Sequence, residues 1–312
     1  MGSILIVISF FLTCSIIYLV TVFHENDSRA SGKMSPVDDA LRSHGTNNTK
    51  PSLLGNYTKY MSGRKAVVLT STNAAFLDMT YNLLESIRRL GALPYIAIVA
   101  EDEAAYNSLK DIPDVEISLA DRQSSSQKLQ ILINSKLTRE YNLLTHKRPE
   151  HILRYLSKGF DVLWTDADSV WLQNPFPYFT GDDLDVFISV DPVTRPGTER
   201  PIDRICTGFM YFKCNNNTIK LMENWIEDCS RLNGSHHDQY SFKRLIKASK
   251  NKNIKIQTLN DTQFVPGRGK NYFDANWRKE HPEYKPVVLH NSYAFGHDKK
   301  VLRFRNMGMW YI

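Results

Sequence analysis

Two aspartates stand two residues apart at the end of an apolar run, in the stretch VLWTDADSVWLQNPFPYF over residues 162–179. Residues i and i+2 of a β-strand point to the same face, so Asp166 and Asp168 can converge on one point. Carboxylates seldom enter apolar surroundings without a partner, and hard oxygen ligands suit Mn²⁺ or Mg²⁺. The pair therefore indicates a divalent cation site, with an exposed turn or a helix N-cap as the alternative interpretation.

A second stretch, PVVLHNSYAFGHDKK over residues 286–300, offers the groups that the aspartates lack. His290 ends an apolar run and can supply a third metal ligand, with His297 as the alternative. Gly296 would let the backbone approach a phosphate group closely. Lys299 or Lys300 would meet a diphosphate as a point charge.

Other chemistries find little support in the chain. An EF-hand loop starting at Asp166 is excluded, because Trp171 stands where glycine is required and Pro177 where glutamate is required. No G-x-S-x-G or H-E-x-x-H motif of a hydrolase occurs. The net charge of +6 is spread along the chain, and charge alone does not separate an anionic small ligand from a membrane surface or a nucleic acid. We predict no nucleic-acid partner.

These residues must be positioned by an alternation of strands and helices. Strands are predicted at 65–72, 94–102, 160–165, 185–191, 208–212 and 286–290, and helices at 76–91, 139–158, 219–229 and 238–249. The alternation predicts one α/β domain over residues 64–312, with a mostly parallel sheet and helices on both faces. Ligands of such sheets bind beyond the carboxyl ends of the strands. Thr70, Ser71, Thr72 and Asn73 are therefore expected on the same rim as the two aspartates. Their hydroxyl, amide and backbone groups suit the binding of a pyrimidine and a ribose.

The N-terminal part of the chain predicts a membrane anchor. Residues 4–23 carry no charge and match the roughly 20 residues that a membrane-spanning helix needs. We predict a short cytoplasmic tail over 1–3, a retained signal-anchor over 4–23 and a flexible lumenal stem over 24–63, because no A-x-A-like cleavage site follows. N-x-[ST] acceptors for N-glycosylation, which indicate a lumenal side, occur at Asn26, Asn47, Asn56, Asn216, Asn233 and Asn260.

Beyond the anchor, three cysteines remain, at positions 206, 214 and 229. An odd number allows at most one intramolecular disulfide with one free thiol. Three small buried hydrophobic side chains are an equally good interpretation.

The chain resembles the nucleotide-diphospho-sugar transferase family, in particular the branch with plant rhamnogalacturonan xylosyltransferases. The resemblance spans roughly residues 65–310 and rests on VLWTDADSVWL, CTGFMYF, HDQYSF, FDANWRKEHP and HNSYAFGHDKK. It implies a GT-A-like fold and metal-dependent transfer of a sugar from a nucleotide donor with retention. We therefore expect a Golgi type II membrane protein whose partners are a UDP-sugar, with UDP-xylose as the first choice, and a glycan acceptor. A non-catalytic lumenal binding protein with the same fold is the alternative.

The resemblance also implies roles for single residues. Asp168 would bind the metal directly, and Asp166 would contact the metal or the nucleotide ribose. Asp238 and Gln239 would lie at the donor sugar, with a helix N-cap as the alternative role of Asp238. Related transferases carry a lysine three residues after the glycine of this region, which favours Lys299. Thr207 and Gly208 are expected to line the sugar pocket, although Cys206 replaces a polar residue that relatives often carry.

Overall fold

The computed structural model describes residues 63–91, 94–120, 138–192, 200–248, 253–268 and 272–312. The predicted anchor over 4–23, nearly all of the predicted stem, and Asn26, Asn47 and Asn56 lie outside these residues. Within them, no helix has both the length and the apolar character needed to span a membrane.

The described strands form two sheets. Their bounds are β1 Ala66–Thr72, β2 Ile96–Ala100, β3 Val115–Leu119, β4 Asp161–Thr165, β5 Ser169–Trp171, β6 Val186–Val190, β7 Ile205–Phe212, β8 Ile256–Thr258, β9 Phe264–Pro266 and β10 Val288–His290. The central sheet has seven strands in the order β3-β2-β1-β4-β7-β6-β8. Strand β7 runs antiparallel to its neighbours β4 and β6, and the other pairs are parallel. The predicted mostly parallel α/β sheet is confirmed.

The helices connect these strands. Their bounds are α1 Leu77–Arg88, α2 Glu103–Leu109, α3 Arg139–Thr145, α4 Arg148–Leu156, α5 Asn216–Leu232, α6 Asp238–Lys247, α7 Ala275–Glu280 and α8 His297–Asn306. The single helix predicted over 139–158 is wrong, since α3 and α4 are separate. Pro149 lies in the first turn of α4, where its missing N–H costs nothing, but inside a continuous helix it would remove a hydrogen bond.

Apolar residues cover both faces of the central sheet. On one face, Trp164 of β4 packs in a core with Ile152 of α4, Trp225 of α5 and Phe242 of α6. On the other, the Tyr211 ring of β7 stacks on Phe179 at 4.4 Å between centroids. Both faces are thus withdrawn from water, and the edge where parallel strands end is left for polar groups.

A small second sheet, not predicted, lies beside this edge. Its strand order is β5-β10-β9, with β10 antiparallel to β5 and parallel to β9. The pairing sets His290 of β10 opposite Ser169 of β5. Because β5 follows β4 after three residues, the second sheet brings the C-terminal stretch to the end of the central sheet.

Candidate active site

Asp166, Asp168 and His290 meet at the carboxyl end of β4. His290 Nε2 lies 3.3 Å from Asp168 Oδ1 and 3.6 Å from Asp166 Oδ2, and one ligand atom from each residue falls within 4.8 Å of the others. Backbone bonds hold the cluster, since Asp166 N donates to Gly208 O at 2.8 Å and Asn291 N to Asp168 O at 2.9 Å. Two carboxylates and one imidazole form a donor set that fits a divalent cation such as Mn²⁺.

The glycine at position 208 makes room for the imidazole. A Cβ built on Gly208 would lie 2.1 Å from His290 Cε1, far inside van der Waals contact. The other ring nitrogen, Nδ1, lies 3.6 Å from Cys206 Sγ, which leaves Nε2 facing the aspartates. Strand β7 therefore shapes the position of His290 from the opposite side of the cluster.

The lysine at the cluster is Lys300, whereas Lys299, the preferred candidate for the diphosphate, lies outside it. The Lys300 ammonium pairs with Asp168 Oδ2 and donates to Asn291 O at 2.9 Å, whereas Lys299 is exposed. Each helical residue turns about 100° from the one before. Lys300 stands one turn after Gly296 and points back to the cluster, and its neighbour points elsewhere.

His297 lies outside the cluster. Its Nε2 is 2.9 Å from Asp78 of α1, and its ring meets Phe76 edge-on at 5.8 Å. Geometry therefore places His290, and not His297, beside the aspartates. That His290 binds a metal remains a prediction.

The charges of the cluster bias its protonation. Burial opposes charge on both groups, but Lys300 and His290 outweigh it and hold the pKa of Asp168 well below its usual value. The reverse holds for His290, where the Asp168 charge outweighs burial and raises the pKa well above its usual range. Opposite charges on Asp168, His290 and Lys300 therefore favour one another within the cluster.

Arg148, which the sequence analysis missed, joins the cluster to the predicted sugar residues. Its guanidinium donates to Asp166 Oδ1 at 3.0 Å, to Thr207 Oγ1 at 2.8 Å and to Asp238 Oδ2. Its Cζ lies 5.0 Å from the centre of the Trp164 ring. Burial disfavours the charge, but Asp166 and Asp238 outweigh it and raise the Arg148 pKa. An arginine opening an ordinary helix carries no motif that would have identified it.

Asp238 is not the cap of its helix. His237 occupies the N-cap position of α6 without a side-chain cap bond, and the Asp238 carboxylate faces Arg148 instead. The adjacent Gln239 accepts from Thr207 N at 3.1 Å and donates to Asp191 Oδ2 at 3.3 Å. A continuous polar wall therefore runs from Asp166 through Arg148 and Gln239 to Asp191.

Two neighbouring cavities open on this wall. The first, about 330 Å³, is lined by the cluster, Thr207, Gly208, Asp238, Gln239, Gly296 and Lys300. The second, about 190 Å³, is lined by Ser71, Thr72, Asn73 and Glu101 at the ends of β1 and β2. Phe76, Tyr141, Arg148, Asp166, Asp168 and Lys300 line both. Their juxtaposition suits a ligand with two chemically different ends.

Thr70, like Lys299, is a predicted binding residue that lines neither cavity. It is buried and pairs with Ile98 of β2 inside the sheet, and its hydroxyl has no hydrogen-bond partner within the described residues. Ser71 and Thr72, which end the strand, do reach the second cavity.

Comparisons with known proteins agree with this geometry. The model of the nucleotide-diphospho-sugar transferase family matches residues 91–304. Over 277 residues the chain is 27% identical to the Arabidopsis thaliana UDP-D-xylose:L-fucose alpha-1,3-D-xylosyltransferase 3, covering 83% of this chain and 70% of that protein. Over 302 residues it is 28% identical to the Dictyostelium discoideum UDP-galactose:fucoside alpha-3-galactosyltransferase, covering 81% of this chain and 44% of that protein.

A solved structure shares the fold. The glycosyltransferase GlyE of Streptococcus pneumoniae superposes with a TM-score of 0.50 and 13% identity, over 80% of this chain and 61% of that chain. At this identity the likeness concerns the GT-A-like α/β fold alone.

Proposed function

The chain belongs to the nucleotide-diphospho-sugar transferase family and is a glycosyltransferase, and we propose that its donor is a UDP-sugar. On this proposal the sugar passes to a glycan acceptor with retention at the anomeric carbon, and a divalent cation, Mn²⁺ or Mg²⁺, assists. The observation that carries the proposal is the meeting of Asp166, Asp168 and His290 between the two cavities.

The two cavities suggest where the donor lies. The smaller one, with Ser71, Thr72 and Asn73, offers hydroxyl, amide and backbone groups to a uridine. The diphosphate would then lie at the cluster, near Lys300 and the N-terminus of α8, where backbone N–H groups favour an anion. The sugar would occupy the larger cavity, beside Asp238 and Gln239.

Each group at the cluster has a chemical task on this proposal. Asp166, Asp168 and His290 would hold the cation, which when bound supplies positive charge to the departing diphosphate. The Asp238 carboxylate, held by Arg148, would lie beside the donor sugar, and a nearby carboxylate stabilises the positive charge of an oxocarbenium-like state.

The names of the relatives support a narrower proposal for the donor, the acceptor and the stereochemistry of transfer. One is named for a xylose donor and the other for a galactose donor, but both are named for a fucose or fucoside acceptor and an α-product. UDP-xylose and UDP-galactose carry their sugars in the α-linkage, so an α-product implies retention. We propose a terminal fucose as the acceptor, with UDP-xylose as the first donor and UDP-galactose as the second.

The proposed place of action is the Golgi lumen, with the protein as a single-pass type II membrane protein. Support comes from the uncharged run at 4–23 and from six N-glycosylation motifs. The three of these asparagines that the structure describes, Asn216, Asn233 and Asn260, are exposed.

The decisive experiment assays the full-length protein with UDP-xylose or UDP-galactose, a methyl fucoside and Mn²⁺. We expect transfer that EDTA abolishes, and Asp168→Asn should lower kcat/KM at least 100-fold, the scale set by losing one preorganised charge-stabilising group. Asp185→Asn is the matched control, since this buried carboxylate lies before β6, away from both cavities, and binds Asn215 Nδ2 and Lys255 N. No turnover of either donor, or full activity of Asp168→Asn, would contradict the proposal.

A further inference from the structure

An exposed aromatic ring stands at the mouth of the larger cavity. Phe295 is 53% exposed and lines that cavity, as does Tyr293. Neither residue lines the smaller cavity assigned to uridine. We call Tyr293 and Phe295 the aromatic rim. An aromatic ring at the mouth of a binding cavity offers a flat apolar face on which the apolar side of a ligand can pack.

The exposure of Phe295 does not come from a loosely held loop. Arg303 Nη1 donates to Asn291 Oδ1 and Ser292 O, both at 3.0 Å, and to Gly267 O at 3.1 Å. A Cβ on Gly267 would lie 1.7 Å from Ser292 O, so the two segments are in close backbone contact. The loop that carries the aromatic rim is thus anchored on its inner side, where the Arg268 guanidinium also lies over the half-buried Tyr293 ring at 4.6 Å, and Phe295 remains exposed.

A nearly buried carboxylate lines the same cavity. Asp191 follows β6 and is 9% exposed. Its Oδ2 accepts from Gln239 Nε2 at 3.3 Å, and Oδ1 makes no hydrogen bond of ordinary geometry within the described residues. The Tyr293 hydroxyl is its neighbour, and burial and the Asp191 charge together raise the pKa of Tyr293. A buried carboxylate oxygen is costly unless a donor reaches it. A sugar hydroxyl is a suitable donor.

Together, these features fit one sugar ring. We propose that the aromatic rim and Asp191 form the acceptor subsite, where the apolar face of a terminal deoxy sugar lies against Phe295 and one of its hydroxyl groups donates to Asp191. A deoxy sugar suits the rim because a methyl group replaces a hydroxyl group. This inference rests on the proposed function. It assigns the aromatic rim and Asp191 to the acceptor, whereas Asp238 and Gln239 of the same cavity would serve the donor sugar.

Steady-state kinetics of the full-length protein test the subsite, with methyl fucoside as acceptor and the UDP-sugar that the wild type uses. Phe295→Ala should raise the acceptor KM about tenfold, with a smaller change in donor KM, and Phe295→Trp should restore it by keeping the stacking surface. Leu302→Ala is the control, since Leu302 is 58% exposed on α8 and lines neither cavity. It should leave both constants unchanged.

Asp191→Asn should also raise the acceptor KM, about tenfold or more for a lost charged hydrogen bond. Its melting temperature should change little, because the asparagine oxygen keeps the bond to Gln239. Calorimetry of methyl fucoside binding in the presence of UDP gives a readout independent of turnover and should show the same weakening.

The results of these experiments distinguish failure of the acceptor subsite from failure of the proposed function. An active wild type, with unchanged acceptor KM in both Phe295→Ala and Asp191→Asn, overturns the subsite and leaves the proposed function standing. A rise in donor KM alone also overturns it, because the side chains would then serve the donor. A folded wild type that turns over neither UDP-sugar overturns both.

Discussion

At the scale of single residues, Arg148 has the largest structural role that no sequence motif announced. One guanidinium compensates two carboxylates, Asp166 and the nearly buried Asp238. Breaking such a pair is costly because the remaining charge stays buried without a partner.

We therefore expect Arg148→Met to destabilise the protein by about 3 kcal/mol and to abolish transfer. Thermal or denaturant unfolding measures the first effect and the transfer assay the second. Arg231→Met is the matched control, because Arg231 is exposed and its partner Glu227 on α5 is exposed as well. It should change stability by less than about 0.5 kcal/mol. Equal effects of the two variants would contradict the role assigned to Arg148.

The cysteines give a residue-level prediction about pH. Cys206, Cys214 and Cys229 are free thiols, so the optional disulfide among them does not form. Burial raises the pKa of Cys229 to about 12, above the value near 8.5 of an unfolded chain. The folded state therefore favours the neutral thiol, and this contribution to stability is complete below about pH 8.5 and is lost as pH rises toward 12.

Native protein should accordingly resist alkylation of Cys229 at pH 8–9, and unfolded protein should react quickly. Mass spectrometry after iodoacetamide treatment, with and without denaturant, measures this difference. Cys229→Ala should flatten the alkaline fall in stability. Rapid labelling of Cys229 in the folded protein would show that its thiol is not protected.

At the scale of elements, the site depends on the pairing of β10 with β5 and on the close approach of β7. The first pairing sets His290 beside the aspartates, and Gly208 of β7 leaves the space that the imidazole fills. A side chain at position 208 would force the ring or the strand to move.

Gly208→Ala should therefore weaken Mn²⁺-dependent UDP binding at least tenfold, because the third member of the cluster is displaced. Calorimetry with UDP and Mn²⁺ measures this change. Gly159→Ala serves as the control, since Gly159 has φ 83° with open space around its Cβ position. It should cost about 1 kcal/mol of stability and leave UDP binding intact. Normal binding by Gly208→Ala would mean that His290 does not contribute.

At the scale of the whole molecule, a lumenal location requires that asparagines in glycosylation motifs lie on the protein surface. Asn216, Asn233 and Asn260 are exposed and lie in glycosylation motifs. Asn216 opens α5 and Asn233 follows its last residue, with a left-handed φ of 45°. Asn260 follows β8, so the three positions are spread over the catalytic domain.

If the domain is lumenal, protein from a secretory host should lose apparent mass on treatment with an N-glycosidase. Asn→Gln changes at these three positions should remove part of that shift, and the rest should come from Asn26, Asn47 and Asn56. Mobility on a denaturing gel before and after treatment is the measurement. No shift in a host that glycosylates a control protein would argue against the lumenal location.

The sequence by itself determined most elements and the chemical character of the site. Strand and helix periods are local properties, so β1, β4, β6, α1, α5 and α6 could be predicted from short windows. The shorter helices α2, α7 and α8 were not predicted. The D-x-D pair is local in sequence as well, but it lies in the three-residue turn between β4 and β5 and not within a strand, so the turn and not the strand period sets the two carboxylates side by side.

Tertiary structure alone decided which distant groups complete the site. The second sheet places His290, and not His297, beside the aspartates. The turn of α8 places Lys300, and not Lys299, at Asp168. The separation of α3 from α4 lets Arg148 reach Asp238. Asp191 and the aromatic rim likewise came to one cavity only through folding. The physical reason is that local periodicity determines which way a side chain points within its own element, whereas contacts between elements depend on how their apolar faces pack.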